Sequence, residues 1–181
     1  MIRYHWQEDL PFLDDSCGGR SLPQVYCSPV ASQSKNLEVM FTDDVIFQKS
    51  KKGMFQLVVL LEHLTDLEAI RKSLLGIDEA SQNYLLAEET TFIIQRSVVD
   101  NEFIGIGNDV FRLATTEEFA ATEALCKSRP VPQYYDMYRM KKDLNGKTFA
   151  VIRPDRFVYA ACNTANELHS IARGMHQKIG L

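Results

Sequence analysis

The sequence lacks several features that define common classes of protein. No two of its four cysteines are separated by two residues, so it has no CxxC redox or zinc motif. Its longest apolar run, residues 57–61, is far too short to span a membrane. Its 20 basic residues are outnumbered by 24 acidic ones, which argues against a nucleic-acid or membrane-surface partner.

Other absences narrow the chemistry. The polar amino terminus lacks the apolar core of a signal peptide, so we expect a cytoplasmic protein with reduced thiols. Only Cys17 and Cys27 are close enough in sequence to suggest a local disulfide. The chain has no Gly-x-Ser-x-Gly elbow. Because Val110 replaces the third glycine of a dinucleotide fingerprint that would begin at Gly105, we expect neither FAD nor NAD, and no other cofactor.

The middle of the chain contains alternating strand and helix patterns. Residues 55–61 are almost wholly apolar, which is typical of a central strand covered on both faces. Thr65 and Glu68 have the spacing of a capping box, which predicts a helix over residues 66–75. Residues 90–99 are rich in β-branched side chains and predict a second central strand.

The second half of the chain continues this pattern. The predicted elements are a strand running into a loop over 103–109, a helix from Thr115 to Cys126, a hairpin-type turn at Asn145-Gly146, strands over 148–152 and 157–161, and a last helix over 164–177. The resulting order, β-α-β-(α)-β-β-α, is the thioredoxin order. It predicts an α/β fold with a thioredoxin-like mixed sheet flanked by helices and an insertion near residues 100–145.

Residues 1–36 differ in composition from the rest. They are rich in Pro, Ser, Asp and Gly, and we expect an extended arm with a short strand near Val25-Tyr26. The arm should pack on the domain formed by residues 37–181, because Trp6 and Phe12 would be costly to leave in water.

Three segments resemble one known family. The segment VIRPDRFVYA, residues 151–160, resembles "VVRPDGYV" near the end of flavin-dependent aromatic-ring hydroxylases such as phenol hydroxylase. Residues 18–24, GGRSLPQ, resemble the "PGxRxPH" entry of the same domain, and residues 39–61 resemble its "DLLGRGFTLLV" passage. In the same order, these segments extend the resemblance over most of residues 18–175.

The resemblance implies a stand-alone relative of the C-terminal thioredoxin-like domain of these hydroxylases, without the FAD-binding part. In that family the domain lacks a thioredoxin active site and serves in subunit contacts, so no thiol-disulfide chemistry and a homodimer are implied. The family's glycine after Pro-Asp is Arg156 in this chain, so we expect a turn that does not depend on glycine.

A cluster of aromatic and methionine side chains near residue 134 is the best candidate for a ligand pocket. The pocket candidates are Tyr134, Tyr135, Met137, Tyr138 and Arg139, with His5 and Trp6 of the arm as a lid. The plainer interpretation, which we favour, is a helix that packs Met137, Met140 and one tyrosine on the sheet. For Arg153, Pro154 and Asp155 we expect a structural role in a hairpin, and the four scattered histidines predict no metal site.

Two classes of function remain open. The first is a cofactor-free enzyme of a natural-product pathway that binds a hydrophobic small molecule and catalyses a non-redox cyclisation, cycloaddition or isomerisation. The alternative is a non-catalytic dimerisation or interaction module. An enclosed cavity of about 300 Å³ or more lined by residues 134–140 would favour the enzyme, and an exposed apolar face would favour the module.

Overall fold

The structure, a computed structural model, describes residues 11–30, 39–95, 106–122 and 134–179. Within these residues, seven strands form one mixed sheet in the spatial order β2-β1-β5-β4-β3-β6-β7. The strands in chain order are β1 (Tyr26–Pro29), β2 (Met40–Phe41), β3 (Gln56–Leu61), β4 (Thr91–Ile94), β5 (Val110–Leu113), β6 (Phe149–Ile152) and β7 (Val158–Cys162). The helices are α1 (Thr42–Ile46), α2 (Leu67–Ser73), α3 (Ile77–Ala80), α4 (Thr116–Ala121), α5 (Arg139–Asp143) and α6 (Ala165–Ile179).

The α/β class predicted from the sequence is confirmed, since helices flank a mixed sheet. Strand β3 runs parallel to β4 and antiparallel to β6, and β6 and β7 form an antiparallel hairpin. The two predicted strands near the chain end and the closing helix α6 are present within two residues of their expected bounds. None of the helices in the described ranges is long and apolar enough to cross a membrane.

Strand β3 is the centre of the core. All six of its residues are buried, as the apolar run predicted. Leu57, Val59 and Leu61 pack into a cluster shared with α2, α3 and α6, whereas Val58 and Leu60 pack into a second cluster shared with α1 and α5. Burying one such aliphatic side chain contributes about 1.5–3 kcal/mol, so the strand holds both layers of helices to the sheet.

The described part of the arm covers one edge of the sheet. The backbone N–H groups of Leu13 and Gly19 donate to the carbonyl oxygens of Tyr159 and Val158, at 2.8 and 2.9 Å. A side chain at Gly18 would bring its Cβ within 2.7 Å of the Tyr159 oxygen, so only glycine allows this close approach. The arm thus protects β7 from pairing with another chain, and further along it continues into β1, inside the sheet.

Two local predictions are wrong, and a third is described only in part. A 3-10 turn, Leu64–Asp66, precedes α2, so Thr65 does not cap the helix and the capping box with Glu68 is absent. The stretch expected over 103–109 as a strand running into a loop is described only from residue 106, and residues 106–109 form a loop. A strand that the sequence did not predict follows at Val110. The pair Asn145-Gly146 joins α5 to β6 rather than two strands, with φ of 54° and 70°.

Two other predictions fall partly outside the described residues. The strand expected over 90–99 is seen as β4, and residues 96–99 are not described. The helix expected from Thr115 begins as predicted, with the Thr115 hydroxyl and the Glu118 carboxylate forming a capping box. Its expected end at Cys126 lies outside the described residues, and the described helix ends at Ala121.

The turn between β6 and β7 departs from expectation at Arg156. Its φ is 69°, the left-handed conformation that glycine adopts most easily. The turn therefore does require a backbone conformation that the family's glycine would adopt without strain. The Arg156 guanidinium is held by the buried carboxylate of Asp43, with 2.6 Å between Nη1 and Oδ2, and lies 6.0 Å from the Phe47 ring centre. Burial raises the pKa of Asp43, and the charge of Arg156 opposes this. The ion pair therefore offsets the strain of the turn.

We expect the cost of replacing Arg156 by glycine to depend on Asp43. In the wild-type background, Arg156→Gly should lower the free energy of unfolding by about 1 kcal/mol, because the buried carboxylate of Asp43 loses its cation and keeps, among the described residues, only the hydrogen bond from Gln24. In an Asp43→Asn background the same change should be neutral or stabilising. Glycine relieves the backbone strain at position 156, and no buried carboxylate is left without its cation. Urea denaturation of the four proteins measures the coupling, and equal costs in both backgrounds would contradict this account.

Candidate functional site

A cleft of about 330 Å³ opens at the amino ends of the parallel strands β3, β4 and β5. Its size is at the lower end of the range for small-molecule sites. Val45 and Phe111 supply apolar surface, and the rest of the lining is polar or charged. Lys51, Thr90 and Thr91 are the lining residues with unusual environments.

Lys51 is a half-buried amine with few partners. Its Nζ donates to the hydroxyl of Thr91 at 2.7 Å, and it makes no ion pair within 4 Å to any residue that the structure describes. Burial lowers the pKa of Lys51 from 10.5 to about 8, although the carboxylates of Glu89 and Asp109 act in the opposite direction. About a tenth of the side chain is therefore neutral at pH 7, so the amine can both donate and accept a proton.

Glu89 fixes the loop that carries Lys51. Its two carboxylate oxygens accept the backbone N–H groups of Lys52 and Gly53. Glu89 belongs to the 3-10 turn Ala87–Glu89, which leads directly into β4. The loop before β3 is thus tied to the start of the neighbouring strand, and this tie places Lys51 beside Thr91.

Asp109 is neutralised from the other side of the cleft. Both of its carboxylate oxygens accept from Nη2 of Arg71 at 2.8 Å, and the Arg71 guanidinium lies 5.4 Å from the ring centre of Phe92. Arg71 comes from α2 and Asp109 from the loop before β5. Asp109 therefore lines the cleft in a fixed position, and its negative charge is already paired with the guanidinium of Arg71.

Thr90 contributes a hydroxyl with an unmet hydrogen bond. The residue lines the cleft, and its Oγ1 is buried without a hydrogen-bond partner in the part of the chain that the structure describes. Leaving a buried polar group unsatisfied costs about 1–3 kcal/mol. Because Thr90 and Lys51 line the same cleft, the cleft contains both an unsatisfied hydroxyl and a partly neutral amine.

The structure places the predicted aromatic cluster elsewhere. Tyr134 is 99% exposed and Tyr138 is 43% exposed, both in the segment leading into α5, and Arg139 is also exposed. Met137 is half-buried against the second core cluster. None of these side chains lines one of the three clefts that we describe. The proposed lid residues His5 and Trp6 lie outside the described residues.

Tyr135 contacts strand β1 and does not line a described cleft. Its hydroxyl accepts the backbone N–H of Tyr26 at 2.9 Å, and its ring stacks on that of Tyr26 with 4.4 Å between the centres. Burial raises the pKa of Tyr135 to about 12, so the phenol stays protonated. Tyr135 thus joins the segment before α5 to strand β1.

Arg153, Pro154 and Asp155 lie in the turn between β6 and β7. Arg153 is 1% exposed, and its Nε and Nη2 donate to Asp155 at 3.1 and 2.6 Å. Asp155 also accepts the backbone N–H of Phe157. These contacts close the hairpin and bring no group toward a cleft.

Two other clefts offer less chemistry. One, of about 450 Å³, lies at the carboxyl end of β3, where the carboxylate of Glu62 is paired with Lys141. The other, of about 500 Å³, includes Cys162, whose pKa burial raises to about 12, so its thiol is unreactive. Among the described residues no three His, Cys, Asp or Glu side chains gather to hold a metal, and His169 instead contacts the Ser73 carbonyl.

The sequence analysis did not identify Lys51, because residues 50–53, Ser-Lys-Lys-Gly, have the composition of an ordinary charged turn. The position of Lys51 in the sequence could have indicated it, because a lysine a few residues before a wholly buried strand lies at the end of the sheet. Lys52 has the same position in this sense but is exposed, so sequence alone does not single out Lys51.

Comparisons with known proteins add little. No family model matches the chain, and no curated protein matches it. Among solved structures, the chain is similar to the conserved protein BF1870 of unknown function from Bacteroides fragilis. The TM-score is 0.47 at 8% sequence identity, and the match covers 85% of this chain and 97% of that one.

We expect Lys51→Met to stabilise the protein at neutral pH by about 1–3 kcal/mol, because it removes a charge from a desolvating site. The pKa of Lys51 is about 8 in the folded state, against 10.5 for an unperturbed lysine. Between these values the unfolded chain binds more protons, so wild-type stability should rise with pH relative to the variant. The advantage of Lys51→Met should therefore shrink from pH 8 to pH 10.5.

Urea denaturation over this pH range measures the effect. Lys52→Met is the matched control, since Lys52 is the exposed neighbour on the same loop. It should change stability by no more than about 0.5 kcal/mol, with no such pH dependence. Identical pH profiles for the two variants would contradict the assignment of a desolvated amine to Lys51.

Proposed function

We propose that the protein binds a small polar molecule in the Lys51 cleft and catalyses a non-redox reaction on it, with Lys51 as the acid–base group. The observation that carries the proposal is a half-buried amine in a cleft, hydrogen-bonded to Thr91 and without an ion pair among the described residues. A group with a pKa near the working pH is an efficient proton donor and acceptor.

Among the reactions expected from the sequence, isomerisation fits this cleft best. It requires one proton to be removed and returned, which a single partly neutral amine can do. Cyclisation and cycloaddition depend more on an apolar enclosure that holds the reactant in one conformation. The polar lining of the cleft favours a substrate with oxygen substituents over a purely hydrophobic one.

We also propose that the chain is related to the C-terminal thioredoxin-like domain of the flavin-dependent hydroxylases. This is supported by the chain order β3-α2-β4 followed by the β6–β7 hairpin and α6, and by the Arg153–Asp155 pair in the hairpin turn. A cytoplasmic location is part of the proposal, since Cys17, Cys27 and Cys162 are free thiols.

An interaction module is the second candidate, because some large side chains are left in solvent. Tyr134 and Tyr138 are exposed in one short segment, and Leu75 is 75% exposed after α2. Exposed aromatic side chains are enriched at protein–protein interfaces. A homodimer formed through the two tyrosines would resemble the use of this domain in the proposed relatives.

The first test asks whether the cleft binds ligands. We expect a library of small hydroxylated and carbonyl fragments, screened by NMR on the folded protein, to shift the amide signals of Thr90 and Thr91. The same fragments should lose about tenfold or more in affinity for Lys51→Met, because the donor is removed. Lys52→Met should bind as the wild type does. If no fragment perturbs the cleft, the proposal is wrong.

The second test separates the interaction module from the enzyme. If the tyrosines form a dimer interface, light scattering should give a dimer mass for the wild type and a monomer mass for a Tyr134→Ser, Tyr138→Ser double variant. The matched control is Leu75→Ser, which alters an exposed apolar side chain in another segment and should leave the dimer intact. A monomeric wild type at high micromolar concentration removes this candidate.

A further inference from the structure

We infer that the Lys51 cleft takes a neutral aldehyde or ketone, which forms an imine with Nζ of Lys51. The inference rests on the proposed function and specifies the class of its substrate. Three features of the cleft support it: a nucleophile, groups that can hold an oxygen atom, and a charge pattern that disfavours anions.

The nucleophile is the Lys51 amine. Only a neutral lysine attacks a carbonyl, and burial is one of the ways in which proteins keep part of a lysine neutral. The single hydrogen bond to Thr91 at 2.7 Å uses one N–H and leaves the lone pair of the neutral amine free. A salt bridge would hold the side chain charged, and no described residue makes one with it.

The oxygen-holding group is the hydroxyl of Thr91. It accepts from the amine at 2.7 Å and can donate its own proton to a carbonyl oxygen or to a hydroxyl group next to it. Thr90 lines the same cleft, and its buried Oγ1 has no partner in the described ranges. A hydroxylated carbonyl compound offers a carbonyl carbon to the amine and oxygen atoms to the Thr91 hydroxyl.

The step balances without a redox partner. The lone pair of the amine attacks the carbonyl carbon, so a C–N bond forms and the oxygen takes a proton to give a carbinolamine. The oxygen then leaves as water with the two protons that began on the amine, and the C=N bond forms. One water is released, and nothing is oxidised or reduced.

The charges around the cleft favour a neutral ligand. Three carboxylates, Glu88, Glu89 and Asp109, line it with one cation, Lys51, and Arg71 is paired with Asp109. A carboxylate or phosphate on the ligand would add negative charge to surroundings in which acidic groups already outnumber basic ones. The modest volume, about 330 Å³, also fits a compound of few carbon atoms.

Reductive trapping tests the inference. The folded protein is incubated at pH 7 with glycolaldehyde, a small neutral hydroxyaldehyde, and sodium cyanoborohydride, and labelled lysines are identified by peptide mass spectrometry. We expect Lys51 to be labelled at least about tenfold faster than Lys52, because burial keeps part of the Lys51 amine neutral and the cleft holds the aldehyde beside it. The anionic aldehyde glyoxylate should show a smaller preference for Lys51. The rate at Lys51 should rise with pH to a plateau above about 8.

Lys51→Arg and Lys52→Arg are the matched variants. The first should remove the fast adduct while circular dichroism shows an unchanged fold, and the second should leave it intact. Equal labelling of Lys51 and Lys52 in the wild type overturns the imine. If fragments still shift Thr90 and Thr91 in that case, only the carbonyl inference fails. If they do not, the proposed function fails as well.

Discussion

Strand β3 has no face that can meet water, and this constraint organises the rest of the molecule. Five of its six buried residues, Leu57 to Leu61, alternate between two apolar clusters, so helices must cover both sides of the sheet. The parallel partner β4 and the antiparallel partner β6 occupy its two edges. A connection of helices is needed to bring β4 back parallel, and a hairpin suffices to return β7 beside β6. The layered α/β architecture follows from these requirements.

The same register builds the cleft. Val58 of β3 lies opposite Thr91 of β4, so the amino ends of the two strands meet at one end of the sheet. The loop before β3 therefore lies against the turn before β4, where Glu89 binds its backbone. Ligands of open α/β sheets are usually found at the carboxyl ends of the strands. In this protein the cleft that contains Lys51 lies at the opposite end, where Glu89 ties the loop before β3 to the turn before β4.

How much the sequence predicts depends on how local the determining forces are. The run over β3 and the hairpin of β6 and β7 carry their own periodicity and turn signals, so they were predicted well. Strand β5 was missed, since Arg112 interrupts its apolar run and its partners β1 and β4 are remote in sequence. The burial of Lys51 is also set by distant residues. The left-handed backbone of Arg156 depends on Asp43, more than a hundred residues earlier.

Arg156 has a strained backbone conformation and Lys51 has a desolvated amine. The two residues differ in how far neighbouring groups compensate for the free-energy cost. The strain at Arg156 is offset by a close ion pair with a buried carboxylate. The desolvation of Lys51 is only partly offset by the charges of Glu89 and Asp109, because no described residue forms an ion pair with it. Thr90, whose hydroxyl has no partner in the described ranges, lines the same cleft. Selection tolerates an uncompensated cost of this kind chiefly where a ligand provides the missing interactions. The recognisable Arg-Pro-Asp motif is fully satisfied within the protein, so it identifies architecture. The unsatisfied groups around Lys51 are therefore the stronger indication of where the protein acts.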